Sequence, residues 1–432
     1  SVFIRGGESS QTLVLIDGVR INDPSSPNAA FDFGSLLTGN INRVEILRGP
    51  NSVIWGSQAI GGVVNVRTEE PSERLSANAG GEYGYHNTAE VRANVSGTSG
   101  KLSGSVGASY FRTDGISALA AGSERDGYKN LAANGKLKVA FNDTVSLDLR
   151  AYYNKGRAQF DDPFGATPDT FPETKNSQFV GYVGLNADFS EGRFRNRVAY
   201  TRTDLHRVGS EPNVPFSFNV NDLKGKIDRF EYQGAFDVAD KVTLVFGIEH
   251  ERTFASTFFP AGGGAGPDQA NYRVTSEYGQ LIVRPITGLT LTGGVRHDDY
   301  NIYGSQTTFG GNFAYTPNAG RTVFRGTYAD GFRAPTLTES VLPFGNPALK
   351  AETAKSFDLG IEHNFLDGAV RATATYYRRK SDNQIAFSFT TFQSENIAKV
   401  FNEGLELELD VHPTQTLKIS AGYNLVNATS RS

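Results

Sequence analysis

The stretch LELELDV at residues 405–411 alternates strictly between apolar and acidic side chains. Its leucines and its valine occupy the odd positions, and its acids occupy the even positions. A period of two predicts a β-strand, because successive side chains of a strand point to opposite faces. One face of this strand requires an apolar environment, and the other requires water or polar partners. The stretch therefore predicts a strand that separates two different environments.

The same alternation recurs after Pro71, for example in VSLDLRAYY at residues 145–153. We count about 18 such segments, one of them at Ile385, joined alternately by short turns and by long polar loops. Open sheets rarely exceed about 10 strands, whereas closure into a barrel removes the edges and lets lipid cover the apolar face. Short turns at one end and long loops at the other are typical of membrane-spanning barrels. We therefore predict a mainly β protein, with a transmembrane antiparallel β-barrel over residues 71–432.

Composition excludes several other classes of protein. No apolar run approaches the roughly 20 residues that a membrane-spanning helix needs. The chain has no cysteine, so it has no disulfide framework and no thiolate metal site. Its net charge of −4 disfavours nucleic acid as a partner. The six histidines are scattered without the HExxH pattern, and we predict that the protein is not an enzyme.

The first 70 residues have a different pattern, with short apolar strands between turns rich in glycine and asparagine. Asp32 is placed to cap a short helix over residues 34–38. We predict a small α/β domain over residues 1–70, too short to build a large core by itself. We expect it to pack against the rest of the chain. The predicted strands cover residues 2–4, 13–16, 44–47 and 63–66.

Two segments of this first domain carry a resemblance to a known family. FIRGGESSQTLVLIDGVRIND (residues 3–23) and NRVEILRGPNSVIWGSQAIGGVVNVRT (residues 42–68) resemble the plug of TonB-dependent outer-membrane receptors. GFRAPTLTE, NPALKAETAKSFDLGIE and FNEGLELEL, which begin at residues 331, 346 and 401, are similar to barrel segments of that family. The pattern is most similar to cobalamin receptors, and catecholate-siderophore receptors share much of it.

The resemblance implies a fold and a function. Residues 1–70 would be the C-terminal part of a plug inside the lumen, and residues 71–432 an incomplete part of a barrel of roughly 22 strands. Both ends of the chain look cut. The family implies a monomer in the outer membrane of a Gram-negative bacterium, surrounded by lipid. It would bind cobalamin or a ferric siderophore and import it with energy from TonB, through an N-terminal box that precedes this segment in the family. No cofactor is required.

The resemblance also implies a polar cluster between plug and barrel. Arg5 and Arg48 match plug arginines of the family, and Asp358 and Glu406 match barrel acids. Strand parity supports this placement independently, because apolar residues flank both acids and would face lipid. Arginine forks bind carboxylates in a bidentate way, which suits a defined docking contact. The alternative is that these are ordinary charges in a solvated lumen.

Ligand contacts are expected from the apical loop of the plug at residues 24–31. Its candidate binding residues are Ser25, Ser26, Asn28 and Phe31. Trp55 is the single tryptophan and a candidate for stacking on a ligand, with packing inside the plug as the alternative. The resemblance to cobalamin receptors also suggests calcium in an outer loop. The candidate ligands of that ion are Asp161, Asp162 and Asp169, with ordinary solvated acids as the alternative.

Three other functions remain open from the sequence. A passive porin would have no reason to carry a plug in its lumen. A surface receptor without transport would differ in the segment before the plug. An outer-membrane enzyme would need an acid, a base and a nucleophile at one rim, and no such set is visible.

Overall fold

The computed structural model describes residues 2–117, 119, 124–161, 172–211, 219–262, 266–342, 345–397 and 399–431. Among these residues, no helix has the length and the apolar character needed to cross a membrane. The chain forms a small mixed sheet at its beginning and a large antiparallel sheet after it.

The small sheet contains four strands in the order β2-β1-β4-β3. Strand β1 is parallel to β4, and the other neighbours are antiparallel. All five residues of β1, TLVLI, are buried, because this central strand is covered on both faces. Its elements are β1 (Thr12–Ile16), β2 (Val19–Arg20), β3 (Ile41–Arg48), the short helix α1 (Ser52–Trp55) and β4 (Gly62–Thr68).

Two local predictions in this domain are wrong. The helix expected over residues 34–38 is a single 3-10 turn at Phe33–Ser35, after which Leu36 is extended. The Asp32 side chain accepts a hydrogen bond from the Gly34 backbone N–H, and glycine does little to propagate a helix beyond this turn. The strand expected over residues 2–4 is absent, because the chain turns sharply there and Arg5 adopts a φ of 50°.

Within the described part of the chain, the large sheet is built from 17 strands, against about 18 predicted. Backbone pairing joins consecutive strands throughout, for example Thr375 with Glu406 and Leu405 with Leu425. The first eleven are β5 (Ser76–Gly84), β6 (Thr88–Ser99), β7 (Leu102–Thr113), β8 (Tyr128–Ala140), β9 (Val145–Gln159), β10 (Glu173–Phe189), β11 (Phe194–Ser210), β12 (Asn221–Ala239), β13 (Val242–Phe258), β14 (Asp268–Val283) and β15 (Leu289–Tyr300).

The remaining strands follow the same antiparallel order. They are β16 (Gly304–Tyr315), β17 (Thr322–Arg333), β18 (Glu352–Phe365), β19 (Val370–Asp382), β22 (Lys399–Val411) and β23 (Ile419–Arg431). The short helix α2 (Leu337–Ser340) lies between β17 and β18. The segment at Ile385, expected as a strand of the barrel, instead forms a separate hairpin of β20 (Ile385–Ser388) and β21 (Gln393–Asn396).

The predicted alternation is confirmed in these strands. In β18, Phe357, Leu359 and Ile361 are exposed, whereas Asp358 points towards the first domain. Side chains of the inward parity meet the first domain on many strands of the sheet, so the sheet curves round that domain as the wall of a barrel. We call its two ends the short-turn end and the long-loop end.

The core is shared between the two parts of the chain. Val14, Ile16 and Val64 of the small sheet belong to the same buried cluster as Tyr152 and Val180 of the wall. The first domain therefore packs against the barrel, as its length suggests.

Candidate functional site

Arg5 forms a buried ion pair across the boundary between the first domain and the wall. Its Nε lies 3.0 Å from Glu406 Oε1, and its Nη2 lies 2.9 Å from Glu406 Oε2. The guanidinium carbon lies 4.5 Å from the centre of the Tyr377 ring. Arg5 reaches this position because the chain turns at Gly6, whose carbonyl accepts a hydrogen bond of 3.0 Å from Asn402. The contact is bidentate and therefore defines the orientation of the turn.

Arg48 makes a second contact to the same carboxylate. Its Nη1 lies 3.1 Å from Glu406 Oε2 and 3.2 Å from Glu408 Oε1. The Arg48 side chain is half-exposed, unlike that of Arg5. Asp358 is the most distant member, with Oδ2 at 3.7 Å from Arg5 Nη1. The structure thus brings the four predicted residues together and adds Glu408, which the sequence reasoning left out.

A second charged cluster lies elsewhere on the wall and was not predicted. Arg20 of β2 approaches Glu251 of β13 at 3.8 Å, and Arg229 of β12 contacts the same carboxylate. Arg296 donates to Glu249 at 2.7 Å. Strand parity indicates that these acids face inward, but nothing in the sequence pairs them with Arg20.

A third cluster surrounds Lys136 of β8, which is buried. Its Nζ lies 2.8 Å from Asp17 and 2.9 Å from Glu70, and it also donates to the Thr68 carbonyl at 2.9 Å. Burial raises the pKa of Glu70, but the hydrogen bonds and charges of Lys136 and Arg67 together outweigh burial, and the pKa lies below its usual value. Arg150 of β9 donates to the Asp17 carbonyl at 2.7 Å.

A fourth network links the first domain to the long-loop end. Arg333 is fully buried and donates to Glu339 of α2 and to Glu352 of β18, both at 2.8 Å. Glu352 also accepts from Gln11 at 2.9 Å and from the backbone N–H of Ile385 at 2.7 Å. The segments GFRAPTLTE and NPALKAETAKSFDLGIE, which begin at residues 331 and 346, therefore hold the first domain, α2 and the separate hairpin together.

A cavity of about 430 Å³ lies between the apical loop and the wall. Ser26 and Phe31 line it, as do Asp23, Asp32 and Ser35 of the same domain, Tyr128 of β8, Asn176 and Gln178 of β10, and His206 and Arg207 of β11. Ser25 is buried beside the cavity and donates to Asp23 Oδ1 at 2.6 Å. Asn28 is exposed and accepts from the Ala30 backbone N–H at 3.3 Å.

Trp55 lies away from this cavity. It ends α1 and packs against the buried side chains of Leu13, Leu15 and Val63. Trp55 therefore packs inside the plug, which is the alternative given above, and it is not placed to stack on a ligand at the apex. The reason is that α1 faces β15 to β17 and not the apical loop.

The predicted calcium ligands are placed only in part. Asp162 and Asp169 lie outside the described residues. Asp161 is grouped with Glu124 and Asp126, and one carboxylate oxygen of each lies within 4.8 Å of the others. Asp161 Oδ2 also accepts from the Leu119 backbone N–H at 2.8 Å. Oxygen ligands of this kind suit calcium.

The fold and these contacts define a β-barrel whose lumen is filled by a separate small domain. The family model "TonB dependent receptor-like, beta-barrel" matches residues 120–431, and the model "TonB-dependent Receptor Plug Domain" matches residues 1–63. The chain belongs to the TonB-dependent receptor family. Members of this family are outer-membrane transport receptors of Gram-negative bacteria.

Two curated relatives cover nearly the whole chain. The vitamin B12 transporter BtuB of Photobacterium profundum is 27% identical over 432 residues, which are 98% of this chain and 66% of the relative. The vitamin B12 transporter BtuB of Vibrio vulnificus is 26% identical over 437 residues, with 94% and 65% covered. The chain thus spans about two thirds of the length of these relatives.

Solved structures show the same fold. The siderophore receptor PirA from Pseudomonas aeruginosa has a TM-score of 0.74 at 21% identity. The match covers 99% of this chain and 79% of the PirA chain. A mutant of the ferric enterobactin receptor PfeA from the same organism has a TM-score of 0.79 at 19% identity. The match covers 99% of this chain and 73% of the PfeA chain. At these identities the likeness concerns the fold alone.

Proposed function

We propose that this chain is part of a monomeric receptor in the outer membrane of a Gram-negative bacterium. The receptor binds a scarce, bulky nutrient, cobalamin or a ferric siderophore, and imports it with energy supplied by TonB. The BtuB relatives and the family membership support this proposal. The observation that carries it is the buried pair between Arg5 and Glu406, which holds a plug inside the lumen.

The nature of the plug contacts favours energy-coupled transport over passive diffusion. The small domain fills the lumen and is joined to opposite parts of the wall by ion pairs, at Glu406 and at Glu251. A porin needs an open lumen, and such a domain would obstruct it. Charged contacts can be exchanged for water when the plug moves, whereas a purely apolar interface would pay the full cost of exposing its surface.

The test is uptake by the full-length protein, produced in cells that lack their own cobalamin and siderophore receptors. Accumulation of labelled cobalamin or of labelled ferric siderophore should require TonB and the proton gradient. Deletion of the TonB box should abolish accumulation while ligand binding persists. Uptake that survives this deletion and follows the concentration gradient would establish a porin. Binding without any uptake would establish a surface receptor that does not transport.

We also propose calcium as an optional ligand of the outer loop that contains Asp161. The grouping with Glu124 and Asp126 supports it. Calorimetric titration of the full-length protein with calcium should give saturable binding, and Asp161→Asn should weaken it at least tenfold. Asp143→Asn, in a short turn at the other end, is the matched control. Equal binding in both variants would contradict the site.

A further inference from the structure

We infer that the ligand of this receptor is neutral or cationic and rich in hydrogen-bond acceptors, and that a polyanionic ferric catecholate is excluded. The inference rests on the proposed function and concerns the apical cavity and the long-loop end. Similarity to known proteins does not distinguish neutral or cationic ligands from ferric catecholates, whereas the charge of the cavity does.

The cavity has no unpaired cation among its described lining residues. Arg207 contributes its guanidinium, but this group forms an ion pair with Asp23. Asp23 is held in place by the backbone N–H of Ser25 at 2.9 Å. His206 lies 3.0 Å from Asp222, so this ring also faces an acid. An anionic ligand would have to compete with these carboxylates for each positive group.

Asp32 adds a negative charge to the same cavity. Its carboxylate accepts a hydrogen bond of 3.0 Å from the Gly34 backbone, and no described basic side chain is paired with it. The other polar groups of the wall, such as those of Asn176 and Ser177, are neutral. The described lining thus carries two acids against one arginine, which disfavours a ligand with several negative charges.

Gln178 points to the kind of group that the ligand presents. Its side chain is only 6% exposed, and its amide nitrogen has no hydrogen-bond partner among the described residues. A buried donor without an acceptor costs free energy, so a site of this kind favours a ligand that supplies an acceptor oxygen. Carbonyl and amide oxygens are uncharged acceptors of the required type.

The connections at the long-loop end extend the same charge preference. Counted over the described residues, the eight connections at this end contain seven acidic and two basic residues. The connections at the short-turn end contain four acidic and six basic residues.

Several other basic residues near the long-loop end of the wall point away from the lumen. Lys129 is exposed, whereas its neighbour Asn130 is buried and donates to the Ser35 carbonyl of the plug. The same outward parity holds on the neighbouring strands. The outward basic residues are Arg112, Lys129, Lys155, Arg157 and Lys175. They surround the barrel and leave the cavity without their charge.

The test measures binding by the full-length protein in detergent, by calorimetry with four ligands of different charge. These are cyanocobalamin and ferrichrome, which are neutral, ferrioxamine B, which is cationic, and ferric enterobactin, which carries three negative charges. We expect at least one neutral or cationic ligand to bind at least tenfold more tightly than ferric enterobactin. Tighter binding of ferric enterobactin would overturn the inference and leave the proposed function intact. Failure of all four to bind would remove the proposed function itself.

Two variants test whether the cavity charge is the cause. Asp32→Lys and Asn176→Lys should each shift the affinity ratio towards ferric enterobactin at least tenfold. Asp143→Lys makes the same charge change at the short-turn end and should leave the ratio unchanged. Using two cavity positions guards against a folding defect in one of them. If neither cavity variant shifts the ratio, or if Asp143→Lys shifts it equally, the cavity does not select by charge.

Discussion

Arg5 and Arg48 bind the same carboxylate but differ in exposure, and this difference determines how much free energy each ion pair contributes to holding the plug. The Arg5 side chain is 8% exposed, whereas that of Arg48 is 46% exposed. Removal of one partner from a buried pair costs about 3–5 kcal/mol, because the other charge is left without compensation. An exposed pair contributes only about 0–1 kcal/mol. Arg5 should therefore contribute more than Arg48 to the attachment of the plug.

This comparison gives a prediction about leakage. In the full-length protein, Arg48→Ala should loosen the plug and increase small-solute leakage, and Arg5→Ala should increase it further. Single-channel conductance in planar bilayers measures both. Arg43→Ala is the matched control, since Arg43 is exposed and, among the residues that the structure describes, forms an ion pair only with Glu45 of the plug. Unchanged leakage in Arg48→Ala would count against its docking role, and larger leakage there than in Arg5→Ala would contradict the burial argument.

Asp358 is the most distant member of the cluster around Arg5. Its carboxylate lies 3.7 Å from Arg5, beyond hydrogen-bond distance. Asp358→Glu adds one methylene and should allow a charge-assisted hydrogen bond, which contributes about 1.5–3 kcal/mol. A double-mutant cycle with Arg5→Ala, followed by chemical unfolding, isolates the pair. A coupling energy no larger than that of wild-type Asp358 would show that distance is not the limitation.

The strands are the elements that the sequence predicts best. Their alternation is a local property. Once the leucines of β22 face an apolar environment on one side, the side chains between them must point to the other side. The pattern predicts a wall strand at Ile385, because a short alternating segment looks the same whether it spans the barrel or folds back on itself. Its attachment to Glu352 depends on a contact 33 residues away in sequence, which periodicity does not reveal.

The contrast between the two faces of a strand pair can be tested directly. Leu407 of β22 is exposed on the outward face, and Thr373 of β19 lies on the inward face beside Glu408. In lipid vesicles, Leu407→Lys should destabilise the folded barrel by about 2–4 kcal/mol, as for a charge near the midplane. Thr373→Lys should cost clearly less. Denaturant unfolding measures both, and equal losses would mean that the outward face is not in lipid.

At the scale of the whole molecule, the plug is attached to the wall at widely separated places. Arg5 meets β22, Gln11 meets β18, Arg20 meets β13, and Lys136 of β8 meets the β1–β2 turn. The partners are between 119 and 401 residues apart in sequence, so their pairing is a property of the folded arrangement. Sequence motifs indicated the first of these contacts through resemblance. The others required the three-dimensional path of the chain.

This distribution raises the question of which contacts break during transport, and a covalent tether can answer it. Gly39 of the plug lies against Ser109 of β7, and a Cβ atom built at Gly39 would be 3.1 Å from the Ser109 Cβ. Disulfides have Cβ–Cβ distances of about 3.5–4.5 Å, so a small adjustment would allow Gly39→Cys and Ser109→Cys to form one. The chain has no other cysteine, and the pairing would be unambiguous.

We expect the oxidised double variant, in the full-length receptor, to bind ligand normally but to lose energy-coupled uptake. The reason is that residue 39 lies two positions before β3, the strand that carries Arg48, so a tether there holds the plug in its resting place. Reduction should restore uptake, and each single cysteine variant should transport like the parent. Full uptake in the oxidised form would mean that the passage opens on the opposite side of the plug, beside Arg20 and Glu251, with the Gly39 contact intact.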